Sequence, residues 1–496
     1  MISVPNLRLP SNGSNSPIRI LLFSCLVLTL AACAGLKKAP DSRSGRGEPD
    51  TPVLEEIEGK KKNDDRVDGE LVFEEEAREK ENPENEEGRE ENVPEMPAEE
   101  PNVAPGSPSE SVPYLDPGRS FELAVMLPFL GDRLDPASLS IDERALPALH
   151  FFRGMEIALD SIRQNAAFPD MNIRIYDTEA NPATVYRMLS EDTLLSTADV
   201  IIGPLRPVNL EMVATIARAR NQVVISPFSA NSDFAAENPR FFQITPSLDA
   251  HCGEITRHIR QSWQPEQVAL ICRDKEAETE RLALFHAANK RYSAPEDTSA
   301  FHEYIIPDTS DVYIGLDFRP LLDDSVRVFV VPSWSNRAFV YAVLRLLSSQ
   351  ITEEDGPVTV YGMPQWLDFD ISSYEYFEKL NVHLTVPVWS DPFSPESIAF
   401  SNEYFKRYAT FPTRESWLGY DMTWYLARLT AMAGLNIPLK MPLTPFDGLS
   451  TGFMFEAVSD QSDDGPEASP TIRHYANKRL YLLEFENYRF VPAHDE

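Results

Sequence analysis

One stretch limits what this chain can fold into more than any other: residues 199–231, DVIIGPLRPVNLEMVATIARARNQVVISPFSAN. Val200-Ile201-Ile202 is a short apolar run that stops at Gly203-Pro204. An amphipathic helix follows, with Leu210, Val213, Ile216 and Ala217 on one face and Arg218 and Arg220 near its end. A second apolar run, Val223-Val224-Ile225, stops at Ser226-Pro227. Strand, turn, helix and strand make a βαβ unit, and two such strands in one sheet run parallel with a right-handed crossover. Ligands of such sheets bind beyond the carboxyl ends of the strands. The loops beginning at Gly203 and Ser226 are therefore the first place to expect a site.

The same alternation extends both ways. Leu123–Phe129 (LAVMLPF) is an almost continuous apolar run, as expected of a strand covered on both faces. After a long connection, Gly131–Leu149, come helix Phe152–Ile162, strand Asn172–Tyr176 and a helix opening at Asn181-Pro182, where proline suits the first turn. Beyond Gln243-Ile244-Thr245 the pattern restarts. It gives helix 249–262, strand Gln267–Cys272, helix 277–291, strand Phe301–Ile306, strand Val326–Val331, helix 336–349, strand Val358–Tyr361 and strand His383–Val388. Helices 396–409 and 415–434 and two closing strands, Phe453–Val458 and Arg479–Phe485, complete it, with the polar insertion Asp460–Pro470 between those strands. The expected class is α/β: two doubly wound lobes joined by a three-segment hinge. Lobe 1 takes 119–246 and 389–447; lobe 2 takes 247–388 and 448–496.

Ahead of the lobes, Arg8 and Arg19 precede the apolar run Ile20–Leu30, which has signal-peptide length. Leu30-Ala31-Ala32-Cys33 resembles the lipobox of bacterial lipoproteins, which implies that residues 1–33 are a lipoprotein signal peptide and that Cys33 carries the lipid. Ala34 is not the aspartate that retains such proteins in the inner membrane, so the resemblance favours the outer membrane of a Gram-negative cell, facing the periplasm. Residues 34–118 are rich in Glu and Pro. Within 41–116 there are 25 acidic and 9 basic side chains, a net of −16, about half of the chain's −33. Such a segment cannot bury enough apolar surface to offset its ordering entropy, and its like charges extend it. It is expected to be a disordered acidic linker spanning roughly 50 Å or more. No Lys/Arg stripe suits nucleic acid, and the membrane is expected to be met through the lipid anchor only.

The sequence lacks HExxH, GxSxG, a Walker-type glycine loop and CxxC. His251 and His258 can share a helical face, but no third metal ligand is evident. No catalytic residue, metal or cofactor is expected. Cys252 and Cys272 remain after Cys25 and Cys33 are set aside. In an oxidising compartment they can pair, one starting a helix and the other ending the strand that returns beside it, or stand as two buried thiols. Candidate ligand contacts are residues just past strand ends: Phe129, Arg206, Phe228, Ser229 and Asn231 from lobe 1, and Asp274, Ser333, Trp334, Gln365 and Trp366 from lobe 2. Arg206 and Arg273 suit a carboxylate or phosphate, and Arg206 can alternatively meet Asp274 across the lobes.

The GP after one strand, the SP after the next and the following FFQITPS (Phe241–Ser247) resemble the type I periplasmic-binding fold of leucine/isoleucine/valine receptors. LPF, RGMEIALDS, YDT, IIGPL and ISP recur at similar spacings in Bacteroidetes lipoproteins regarded as amino-acid ABC transporter substrate-binding proteins. The resemblance covers roughly 121–496. It implies a solute-binding receptor for a small polar molecule, an amino acid or peptide-like compound. Outer-membrane lipoprotein activators of peptidoglycan synthases also share this fold and a GPL turn, which implies the alternative of a module for a periplasmic protein partner. The chain departs from the amino-acid receptors at two loops. Arg206-Pro207-Val208-Asn209 stands where they carry a serine-rich turn, and Phe228 where they carry glycine, so their ammonium and carboxylate contacts do not transfer.

Overall fold

The computed structural model describes residues 120–493 apart from 135–139, 231–234, 236–237, 295, 308–312, 314, 335, 370–373, 435 and 461–470. Cys33, the linker and Asn231 lie outside the described residues, as does nearly all of the polar insertion.

The chain first alternates β1 (Phe121–Leu127), α1 (Leu146–Arg163), β2 (Met171–Asp177), α2 (Pro182–Glu191), β3 (Val200–Ile202), α3 (Pro207–Ala219), β4 (Val223–Ser226) and β5 (Phe241–Gln243). It then runs through α4 (Leu248–Ser262), β6 (Val268–Arg273), α5 (Glu276–Arg291), β7 (His302–Ile306), α6 (Arg319–Asp323), β8 (Val328–Val330), α7 (Arg337–Gln350), β9 (Thr359–Gly362), α8 (Tyr374–Lys379) and β10 (Val382–Val386). Two long helices follow, α9 (Pro395–Tyr408) and α10 (Arg414–Ala433), then short α11 (Ile437–Lys440). The chain ends in β11 (Phe446–Asp447), β12 (Gly452–Phe453), β13 (Phe455–Asp460), β14 (Thr471–Asn477), β15 (Tyr481–Glu486) and β16 (Arg489–Pro492).

The strands form two seven-stranded sheets, in the orders β13-β14-β5-β4-β3-β1-β2 and β16-β15-β10-β9-β8-β6-β7, and β11 and β12 make a separate two-stranded ribbon. The central βαβ unit is as expected: β3 and β4 are parallel, with Val200, Ile201 and Ile202 opposite Val223, Val224 and Ile225. Each central strand feeds two cores. In β1, Leu123, Val125 and Leu127 join the cluster under α1 and α10, while Ala124 and Met126 join the one under α3. In β6, Ala269 and Ile271 face one cluster and Val268, Leu270 and Cys272 the other. Burial on both faces is why these strands read as unbroken apolar runs. Each enclosed aliphatic or aromatic side chain contributes roughly 1.5–3 kcal/mol.

Two local features fix the first lobe. At the turn after β3, Gly203 has φ 88°, and a Cβ there would lie 2.3 Å from the Met126 carbonyl oxygen. Only glycine fits such a position. Between α1 and α10, a Cβ on Gly154 would lie 1.9 Å from the Ser416 oxygen, and one on Gly419 2.1 Å from the Phe151 oxygen. The two helices therefore cross backbone to backbone, which packs α10 against α1.

The last boundary needs correcting. Residues 448–496 do not all belong to lobe 2. β14 pairs parallel with β5, Tyr475 and Ala476 opposite Phe242 and Gln243, and β13 pairs with β14. Both complete the first sheet. Only β15 and β16 join the second, through β10. The chain thus crosses at 244–247, after β10, and again at 478–480. The physical reason lies in β14, TIRHYAN, whose polar residues hide a strand that lies between β13 and β5 and buries Ala476 and Asn477.

Cys252 and Cys272 form no disulfide. They are thiols buried in one apolar cluster with Ile255, Ile259 and Leu270. Burial pushes the Cys272 thiol up to about 12, so it carries no thiolate at neutral pH.

Candidate functional site

The carboxyl ends of the parallel strands and the crossings between the sheets are the places where this architecture can hold a ligand. At the end of β3, Arg206 is exposed and caps the start of α3, its Nη1 donating to the Ala180 carbonyl at 2.8 Å. It forms no ion pair with Asp274, which is itself exposed. Phe129 and Phe228 turn inward: Phe129 meets Phe152 edge-on at 6.2 Å and Phe228 meets Phe151 at 5.4 Å. Ser229 beside them is buried.

In lobe 2 the expected contacts turn inward as well. Trp366 is fully enclosed; its Nε1 donates to the Ser333 carbonyl at 3.0 Å and its ring stacks on Phe369 and Phe377. Gly362 makes room for it, since a Cβ there would lie 2.3 Å from the indole. Trp334 is buried and lies edge-on to His251 at 6.0 Å. A wholly enclosed ring touches a ligand only after repacking, so Trp366 is framework here, a correction to its place among the contacts. Its large apolar area is better used in a core than in a loop. Gln365, half-buried, has a buried Oε1 without a partner among the described residues.

Arg273, the last residue of β6, is also not open to solvent. Its Nε and Nη2 both donate to Glu278 Oε1, and its backbone N–H donates to Oε2 at 2.9 Å. The guanidinium lies 5.7 Å from the Phe339 ring centre. Glu278 thus neutralises the cation that sequence reasoning offered to an anion.

The crossings are stitched by a residue that sequence reasoning missed. Asp421, buried on α10, accepts from the backbone N–H groups of Leu449 (2.7 Å), Ser450 and Thr451 (both 2.8 Å), and from Ser450 Oγ (2.9 Å). That loop is bonded in turn to the second crossing: Thr451 bridges Val388, and Trp389 N–H donates to the Ser450 carbonyl at 2.9 Å. Gly448 has to be glycine, because a Cβ would lie 2.5 Å from the Asp421 carboxyl carbon. The third crossing is fixed alongside. Asn477 donates to the Gly452 carbonyl and accepts from Met454 and Arg479 N–H. Lys478 reaches Asp249 at the start of α4, which Arg291 of α5 also holds. Burial pushes the Asp421 carboxyl up to about 6, against the pull of its four donors. The available signal was its phase: Asp421 lies in step with Leu418, Met422 and Tyr425 on the apolar face of α10. Arg414 of α10 also forms an ion pair at the surface with Asp368 after β9.

Among the described residues no group of three or more His, Cys, Asp or Glu side chains could hold a metal ion.

Comparison with solved structures matches this architecture to one from Rhodospirillum rubrum described as a branched-chain amino acid ABC transporter. The identity is 15% and the TM-score 0.55, over 76% of this chain and all of that one. The chain has the type I periplasmic-binding fold. Structures described as an ABC transporter substrate-binding protein of Desulfitobacterium hafniense (14%, TM-score 0.47, 76% of this chain and 100% of that one) and a branched-chain amino acid ABC transporter periplasmic ligand-binding protein of Burkholderia xenovorans (9%, TM-score 0.48, 76% and 95%) are also similar. Residues 152–298 match the model of the receptor family ligand binding region. That span runs from within α1 of the periplasmic-binding fold through β5, the first crossing, β6 and α5 to the loop ahead of β7. No curated protein matches the chain. Among the described residues no helix is long and apolar enough to cross a membrane.

Proposed function

We propose that this protein is a solute-binding receptor. It is held by lipid on Cys33 at the outer membrane, faces the periplasm, and takes a small polar ligand, an amino acid or peptide-like molecule, between its lobes for ABC-type uptake. The observation that carries the reading is the triple crossing with its Asp421-centred stitching, since three short connections between two separately cored lobes form a hinge, and a hinge lets a ligand select a closed state. The transporter proteins that share the fold support it. A thermal-shift screen of amino acids, short peptides, nucleosides and cell-wall fragments, on wild type and Arg206→Ala, tests it. A true ligand raises the melting temperature by mass action. Separately, Cys33→Ser should release the protein from membranes; retention in the membrane fraction defeats the anchor.

A second reading is a non-transport lipoprotein that uses the fold as a protein-partner module, such as a regulator of cell-wall synthesis. It is favoured by the inward packing of Phe228, Trp334 and Trp366, which leaves fewer side chains for a ligand. If no compound stabilises the protein and Arg206→Ala melts like wild type, this reading takes precedence.

A further inference from the structure

The charge balance at the carboxyl edge of the second sheet is uneven, and it bears on the class of ligand. Arg273 and Arg281 are both buried there, at 7% and 6% exposure, and among the described residues Glu278, between them in sequence, is the one buried carboxylate beside them. Both oxygens of Glu278 are already used by Arg273, one by its side chain and one by its N–H. Arg281, one turn further along α5, is left with a carbonyl: its Nη1 donates to the oxygen of Pro332 at 3.1 Å. Its Nε is buried with no acceptor, and among the described residues no carboxylate pairs with it. Asp274, the acidic residue next to Arg273, is exposed. A guanidinium removed from water without a counter-ion is among the more expensive arrangements a fold can keep. Pro332 lies two residues past the end of β8, and Arg273 ends β6. The unpaired cation is thus held where an open α/β sheet presents ligands.

We propose that Arg281 makes this edge an anion-binding subsite, which gives the receptor a ligand bearing a carboxylate or phosphate group. The planar fork suits either group, and the anion supplies the charge that Glu278 cannot. The inference rests on the solute-binding reading and narrows it to acidic ligands. The apolar phase of α5, in which Glu278 and Arg281 stand in step with Phe285 and Ala288, was the overlooked signal.

The test is a thermal-shift series on the full chain and its Arg281→Met and Arg281→Lys variants. The probes are L-glutamate, succinate and inorganic phosphate, with succinamide, which carries no carboxylate, as the uncharged counterpart of succinate. The expected result is a rise of ~2 °C or more in wild type with at least one anion and none with succinamide. The rise should vanish in Arg281→Met and shrink in Arg281→Lys, which keeps the charge and loses the fork. Glutamate and succinate against phosphate separate the two anion classes. Equal stabilisation of wild type and Arg281→Met by an anion overturns the inference, as does the failure of all three anions. If a neutral probe stabilises wild type and Arg281→Met alike, the receptor reading stands and the anion subsite falls. Should Arg281→Met not fold, Arg281→Lys decides, and an undiminished anion effect there counts against the subsite.

Discussion

Asp421 and His251 are both fully buried ionisable groups, and they bias the molecule in opposite directions as pH changes. Burial pushes the His251 ring down to about 3, while its Nδ1 shares a hydrogen bond with Thr385 Oγ1 at 2.8 Å. The native state refuses a proton that the unfolded chain accepts near pH 6.5. The resulting stability is whole above pH 6.5 and falls by ~1.4 kcal/mol per pH unit as pH drops towards 3. Asp421 runs the other way: raised to about 6 from 3.8, its contribution is whole below pH 3.8 and lost as pH rises to about 6. Urea denaturation from pH 4 to 7 should show the acid slope flattened in His251→Gln and steepened in Asp421→Asn, relative to wild type. At fixed neutral pH, Asp421→Ala leaves three N–H groups and a hydroxyl without their acceptor. It should cost about 3 kcal/mol or more by the same measurement. Of the site, sequence reasoning could see which residues follow strands, because periodicity marks strand ends. It could not see which of them turn inward, because a tryptophan after a strand has the same spacing whether it lines a loop or, like Trp366, fills a core. Nor could it see that Glu278 would occupy Arg273.

At the level of helices and strands, glycines separate close approach from mere tolerance. Gly154 and Gly419 each meet a backbone carbonyl where α1 crosses α10. Alanine at either position must push the helices apart, at a cost of roughly 2–3 kcal/mol. Gly253, inside α4, has only the tip of Arg291 at 4.0 Å from a built Cβ. Gly253→Ala should therefore stabilise by about 0.5–1 kcal/mol. Melting curves of the three single variants check both signs, and a stable Gly154→Ala would show that the helices can part. The parallel strands and long helices were legible because each carries a full apolar period. β1 begins and ends two residues earlier than the pattern suggested, and α1 starts six residues sooner, since Leu146-Pro147 opens the helix at its first turn. β14 and β16 were not legible. Each is an edge or near-edge strand with polar side chains on solvent, and nothing local in TIRHYAN distinguishes it from a loop. Its identity as a strand is conferred by β5, which lies over two hundred residues earlier.

For the whole molecule, core packing is complete from the first strand. Phe121 is completely buried at the first residue of β1, whereas the acidic stretch before it has the composition of an extended coil. Mild proteolysis should trim the chain to a stable fragment beginning near Phe121. Mass spectrometry of the limit digest checks this, and a protected acidic segment would contradict it. The crossing at 478–480 has a further consequence, for the order in which the protein is made. Synthesis delivers the chain from its amino end, so β1 to β5 emerge long before residues 455–477 that close their sheet. Until then the free edge of β5, Phe241–Gln243, is an unpaired template for other strands. The same holds for β10 until β15 arrives. Neither lobe is an independently completed product of its own stretch of gene. A chain cut short anywhere before residue 471 would leave both β5 and β10 with bare edges, and a nascent chain needs protection until β14 and β15 have emerged.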